Sequence, residues 1–282
     1  MRALILTLCM ALLSACSMAD ALNATIPRDG YTLERDIAYG TDARQKLDLY
    51  IPPHASNAPV IVFFYGGSWQ MGSKDDYRFL GQALASKGFI AAVVDYRLYP
   101  IVRFPGFVQD AARATTYLHR NAARFGGNPD ALYVAGHSAG AYLAMMVGGD
   151  PAYMTQAGGK RQWIRGIIGI AGPYDFLPLT DDTLKRIFAT APDAKTQPIN
   201  HLRGTVPPVF LATGDADDTV DPRNSEHVAR KLTRMKRPVE LHSYPDVGHI
   251  GIILSLAEGF RGRTPLLEEI AHFVRATAPR AD

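Results

Sequence analysis

Strand-length runs almost free of charge alternate along this chain with segments of helical periodicity. The runs are "PVIVFFY" (59–65), "FIAAVVDYRLYP" (89–100), "ALYVAG" (131–136), "IRGIIGIAG" (164–172) and "PPVFLATG" (207–214). A strand that is apolar on both faces needs cover on both, which predicts a mostly parallel sheet between two layers of helices. The helical patterns fall at 75–88, 107–127, 139–149, 224–237 and 264–278, several closing on Gly. "LDLYIPP" (47–53) alternates apolar and polar as an antiparallel strand would, and "VELHSYP" (239–245) reads as a further strand. The expected fold class is therefore α/β, as one domain over 31–282. In such sheets the ligand lies beyond the carboxyl ends of the strands, so the residues just after each strand are the candidates.

Composition narrows the function classes. Apolar residues make up 47% and charged residues 20% of 282, which is globular rather than disordered. The net charge of +3 is spread along the chain with no basic stripe, which argues against nucleic acid as a partner. No clustered His/Asp/Glu set resembles metal ligands, and neither G-x-G-x-x-G nor a P-loop is present, so no cofactor is expected.

The first residues follow a different logic. "MRALILTLCMALLSAC" places Arg2 before an apolar stretch from Ala3 to Leu13, too short for a spanning helix, which needs about 20 residues. It closes on small residues and Cys16, resembling a bacterial lipoprotein signal cut before that cysteine so that its thiol is acylated. The other reading is an ordinary signal peptide cut near Ala19. The expectation is a signal over 1–15, a tether over 16–30, and a protein anchored by lipid at Cys16 in the cell envelope. Ser17 leans the sorting towards the outer membrane.

The sharpest motif is Gly136-His137-Ser138-Ala139-Gly140, lying between a strand and a helix. Turning directly from strand to helix forces the serine into a strained bend, with near-bare neighbours two positions away. The hydroxyl is then exposed at the sheet edge, and the N–H of Ala139 opens the helix. Serine is a weak nucleophile without a base that is itself oriented by a third group. "GDADDTVDP" (214–222) offers Asp215, Asp217, Asp218 and Asp221 after one strand, and "DVGHIG" (246–251) offers His249 after the next. Of the eight histidines, His249 alone follows a strand and comes after the carboxylates, while His137 reads as a packing or orienting residue within the turn.

"YGGSW" (65–69), "DYRLYP", "GNPDALYVAGHSAG", "GDADDTV" and "GHIG" together resemble the α/β-hydrolase superfamily. The match, over roughly 45–275, is to its esterase branch, which includes hormone-sensitive-lipase-like, kynurenine formamidase-like and feruloyl-esterase-like enzymes. By that resemblance the acid is the fourth residue of G-x-x-D-x-x-V, which is Asp217, with Asp218 the competitor; Asp215 and Asp221 cap the turn and the following helix. The branch usually has His where this chain has Tyr65, so the phenol would brace the loop instead. The N–H groups of Gly67 and Ser68, with that of Ala139, would form the oxyanion hole. Trp69 borders the substrate cleft or packs beneath it. The segment 171–207 is a cap insertion, with Tyr174, Phe176, Leu177 and Phe188 as wall candidates.

The resulting expectation is a Ser138–Asp217–His249 hydrolase of a small-molecule carboxylic ester, with Trp69 and Tyr174 touching substrate. An arylformamidase is the alternative, with a serine peptidase and a non-catalytic binding module behind it.

Overall fold

The computed structural model describes residues 21–279. Eight strands form one sheet in the order β1-β2-β4-β3-β5-β6-β7-β8. They are β1 Thr32–Ala38, β2 Lys46–Ile51, β3 Ala58–Phe64, β4 Ile90–Val94, β5 Gly127–His137, β6 Ile164–Ile170, β7 Val209–Gly214 and β8 Val239–Tyr244. The β1/β2 and β2/β4 pairs are antiparallel, and every other pair is parallel. This is the α/β sheet that the alternation of runs implied, in the α/β-hydrolase architecture expected from the resemblance. The strands with no charged residue are the ones covered twice: all five residues of β4 and all six of β7 are buried. Helices Arg78–Ala85, Gly106–Asn121, Ala139–Gly149, Arg223–Arg234 and Leu266–Thr277 supply the cover.

The helix Ala139–Gly149 is buried at every position. It lacks an amphipathic stripe because it has no solvent face, and it packs chiefly on β5 and β6. Among the described residues, no helix is long and apolar enough to cross a membrane.

Five elements escaped the pattern. β1 reads Thr-Leu-Glu-Arg-Asp-Ile-Ala and is largely exposed, since an edge strand needs no apolar alternation to pair on one side. Residues 21–30 were expected in a tether, yet 21–25 are helical and Asn23 and Ile26 are buried. Asn23 Nδ2 donates to the backbone oxygen of Asp75 at 2.8 Å, so the chain is tied to the domain from there on. The short helices Pro151–Gln156, Asp182–Phe188 and Asp193–Thr196 are too brief for periodicity to reveal; Asp150 and Asp181 cap the first two through their carboxylates. Cys9 and Cys16, with the signal expected there, lie outside the described residues.

Candidate active site

β5 ends in a bend at Ser138, whose φ of 55° and ψ of −124° are costly for a residue with a side chain. The strain is held from both sides. Ser138 N–H donates to Ile170 at the end of β6 (2.9 Å), and Tyr142 N–H returns to the Ser138 oxygen (3.1 Å). The flanking glycines are required by contact: a Cβ on Gly140 would overlap the Phe64 carbonyl at the end of β3, and one on Gly136 would overlap Gly140 itself. Ala139 opens the helix, so its N–H has no intrahelical acceptor.

β7 and β8 deliver the other two groups. His249 Nδ1 lies 2.7 Å from Asp217 Oδ2. The remaining carboxylate oxygen, Oδ1, accepts the N–H groups of Thr219 (2.9 Å) and Val220 (2.8 Å). Burial pushes the Asp217 carboxyl up, but the bonds from His249, Val220 and Thr219 outweigh it and leave its pKa below the ordinary carboxylate value. Asp218, the competitor, is exposed and accepts only from the Thr219 hydroxyl. Asp215 accepts the N–H of Asp246 and so ties two turns together, and Asp221 accepts that of Arg223, while the cap position of helix Arg223–Arg234 falls on Pro222 rather than on the Asp221 expected to cap it. His249 itself is the first residue of helix His249–Leu254 rather than part of an open loop.

His137 plays a part the sequence did not disclose. Its ring stands 4.7 Å from that of His249, and its Nε2 lies 3.0 Å from the His249 backbone oxygen. Burial, then the neighbouring His249, push its pKa down to about 3, so it stays neutral and Nε2–H is the donor. Its Nδ1 is buried with no hydrogen-bond partner.

The expected oxyanion loop sits against this bend. A Cβ on Gly66 would lie 3.0 Å from the Ser138 Cβ and 3.2 Å from His137 Nδ1. Gly67, Ser68 and Trp69 have φ of 122°, 52° and 61°, a run that reverses the chain tightly. A Cβ on Gly67 would overlap the Met71 carbonyl. Tyr65 braces the loop as its phenol suggested: it donates to Asp95 Oδ1 (2.7 Å) and accepts from Arg44 Nη2 (2.6 Å). Arg44 also donates to the Gly72 (2.9 Å) and Tyr96 (3.0 Å) carbonyls, and Lys74 N–H reaches Asp95 (2.8 Å). No motif pointed to Arg44, which lies in a polar turn far away in sequence.

The expected substrate contacts divide differently. Trp69 is 3% exposed and packs among Phe107, Tyr142, Phe176 and Phe188. Its Nε1 has no hydrogen-bond partner. Tyr174 is fully buried rather than facing a cleft, because the chain after β6 folds back into the space left by Gly169 and Gly172. Asn224 Oδ1 holds its N–H at 2.8 Å. Between β6 and β7, Phe188 completes the aromatic cluster, and Phe104 N–H ties this segment down at the Ile187 oxygen (3.0 Å).

The BD-FAE family model matches residues 47–232, which carry the Gly66–Trp69 loop, the serine bend and Asp217. The chain belongs to the BD-FAE family. This BD-FAE chain is 29% identical over 268 residues to the isoprenylcysteine alpha-carbonyl methylesterase of Arabidopsis thaliana, covering 86% of itself and 62% of that protein. It is 33% identical over 145 residues to the kynurenine formamidase of Danio rerio, covering 51% of itself and 47% of that protein. It spans less than two thirds of the length of the first of these relatives. Among solved structures, esterase B from Lactobacillus rhamnosis (HN001) superposes at a TM-score of 0.80 with 19% identity, over 98% of this chain and 95% of that one, a likeness of fold.

Proposed function

We propose that this BD-FAE chain hydrolyses carboxylic esters through an acyl-enzyme on Ser138. The observation that carries the reading is the 2.7 Å Asp217–His249 hydrogen bond, with the His249 ring 4.7 Å from that of His137, the residue that precedes Ser138. Ser138 Oγ attacks the ester carbonyl carbon while His249 Nε2 takes its proton. Asp217 holds the imidazole by Nδ1–H and stabilises the imidazolium. The new oxyanion is received by the N–H groups of Gly67, Ser68 and Ala139, each such donor being worth about 2.7–4 kcal/mol in the barrier. The imidazolium proton passes to the leaving alkoxide, the alcohol departs, and water repeats the sequence to free the acid. Ser138→Ala should abolish turnover of p-nitrophenyl acetate and labelling by a fluorophosphonate, with the thermal transition unchanged; turnover at the wild-type rate refutes the assignment.

The likeness to a kynurenine formamidase over half the chain keeps an arylformamidase as the second reading. Ester and formamide pass through the same kind of oxyanion, so rates on N-formylkynurenine against simple aryl esters separate them. The 171–207 segment serves as a cap in either case. Acylation of Cys16 would hold the enzyme at a membrane, outer rather than inner by the Ser17 rule, and Cys16→Ala should release it from the membrane fraction.

A further inference from the structure

Six large apolar side chains are exposed among the described residues: Met71, Ile101, Leu177, Leu241, Ile250 and Phe260. Scattered apolar side chains need no explanation, but a gathering around one site does. Four of the six flank the candidate site. Met71 N–H donates to the Gly67 carbonyl (3.1 Å), and Ile250 follows His249 directly. Leu177 follows Phe176, whose ring stacks on Trp69 at 6.3 Å. Ile101 follows Tyr99, whose N–H donates to the Trp69 carbonyl at 2.8 Å, by two residues. They are 52%, 58%, 39% and 76% exposed in the same order.

The N-terminal chain joins the domain on the segment that continues from Met71. Asn23 is bonded to Asp75, four residues after Met71. Only six residues separate Asn23 from Cys16, seven steps of chain with a reach of at most about 25 Å. We propose that Met71, Ile101, Leu177 and Ile250 seat the mouth of the site on a lipid bilayer, so that the ester is taken from the membrane rather than from water. The proposal rests on the esterase reading, and for its orientation on the lipid at Cys16. Apolar side chains entering the interface beside the anchor turn the mouth of the site towards the bilayer and hold it there. They also shorten the path of an amphiphilic substrate, whose apolar part need not cross water.

The test uses the full chain with Ile101→Ser and Leu177→Ser together, two exposed changes that leave the core intact. With Cys16→Ala added to remove the anchor, flotation with phosphatidylethanolamine/phosphatidylglycerol vesicles isolates binding by the rim. The double variant should float about five- to tenfold less than the Cys16→Ala parent, from the lost transfer of two apolar side chains. Equal flotation overturns the proposal whether or not the protein is an esterase. Among lipidated chains in the same vesicles, turnover of a bilayer-held ester should fall about fivefold further in the double variant than turnover of p-nitrophenyl acetate does, and equal falls on the two overturn the proposal. An equal fall on dispersed p-nitrophenyl octanoate means that the rim grips acyl chains and not a bilayer, which also overturns the proposal. Loss of p-nitrophenyl acetate turnover in the parent itself refutes the esterase reading, and flotation still decides the docking.

Discussion

His137 Nε2 lies 3.0 Å from the backbone oxygen of His249, so the residue before the strained serine holds the helix that carries the imidazole. The contact joins the end of β5 to the start of helix His249–Leu254, two pieces of chain that the sheet alone leaves separated by β6 and β7. His137 acts through His249, which makes it a positioning residue.

His137→Leu removes the donor and lets the His249 helix shift. A displacement near 1 Å at the base costs on the order of a hundredfold in rate, so kcat on p-nitrophenyl acetate should drop by about that much. His137→Gln retains a donor of similar reach and should recover most of the loss. Equal activity of both variants would show that the hydrogen bond does nothing for the base.

Acid stability follows from the same residue. His137 titrates near 3 in the fold, against about 6.5 when unfolded. Between those values the unfolded chain binds a proton that the native one refuses, so stability falls as the pH drops below about 6.5, by at most roughly 5 kcal/mol in total. Above that range the group contributes no slope. Urea midpoints from pH 7 to 4 should fall more steeply for the wild type than for His137→Gln, and parallel slopes would contradict the burial argument.

Tyr65→Phe leaves Asp95 without one donor and Arg44 without one acceptor behind the Gly66–Trp69 loop. The cost in unfolding free energy should be about 1–3 kcal/mol. If the brace sets the oxyanion donors, kcat should fall about tenfold with KM nearly constant, because the affected interaction exists in the transition state. A rise in KM at unchanged kcat would instead mean that Tyr65 shapes substrate binding.

Asp217→Asn removes the charge that orients His249 and should lower kcat on the order of ten-thousandfold, with the fold retained. Asp218→Asn, at the exposed neighbour, should stay within about twofold, as surface changes generally do. Steady-state kinetics on the two variants decide between adjacent carboxylates that the motif spacing leaves in competition.

Much of this was legible because several chemical demands write themselves into local sequence. A strand covered on both faces must shed charge, and β3, β4 and β7 announce themselves that way. A strand turned straight into a helix must bare its flanks, and Gly136 and Gly140 mark Ser138. What stayed hidden involves partners distant in the chain. Arg44 reaches Tyr65 across 21 positions, and His137 reaches His249 across 112. β1 pairs at an edge with no apolar signature, and Tyr174 turns inward into room left by the nearby Gly169 and Gly172, a local cue that belongs to no motif.

The sequence by itself determined the α/β class and the strained turn at Ser138, because each rests on patterns within a few residues. Only the tertiary structure decided that Asp217 rather than Asp218 meets His249, that Tyr65 and Arg44 brace the glycine loop, and that His137 supports the helix carrying His249. Those choices depend on which side chains face each other once eight strands lie side by side, and burial then makes each unmatched polar group costly enough to select one arrangement.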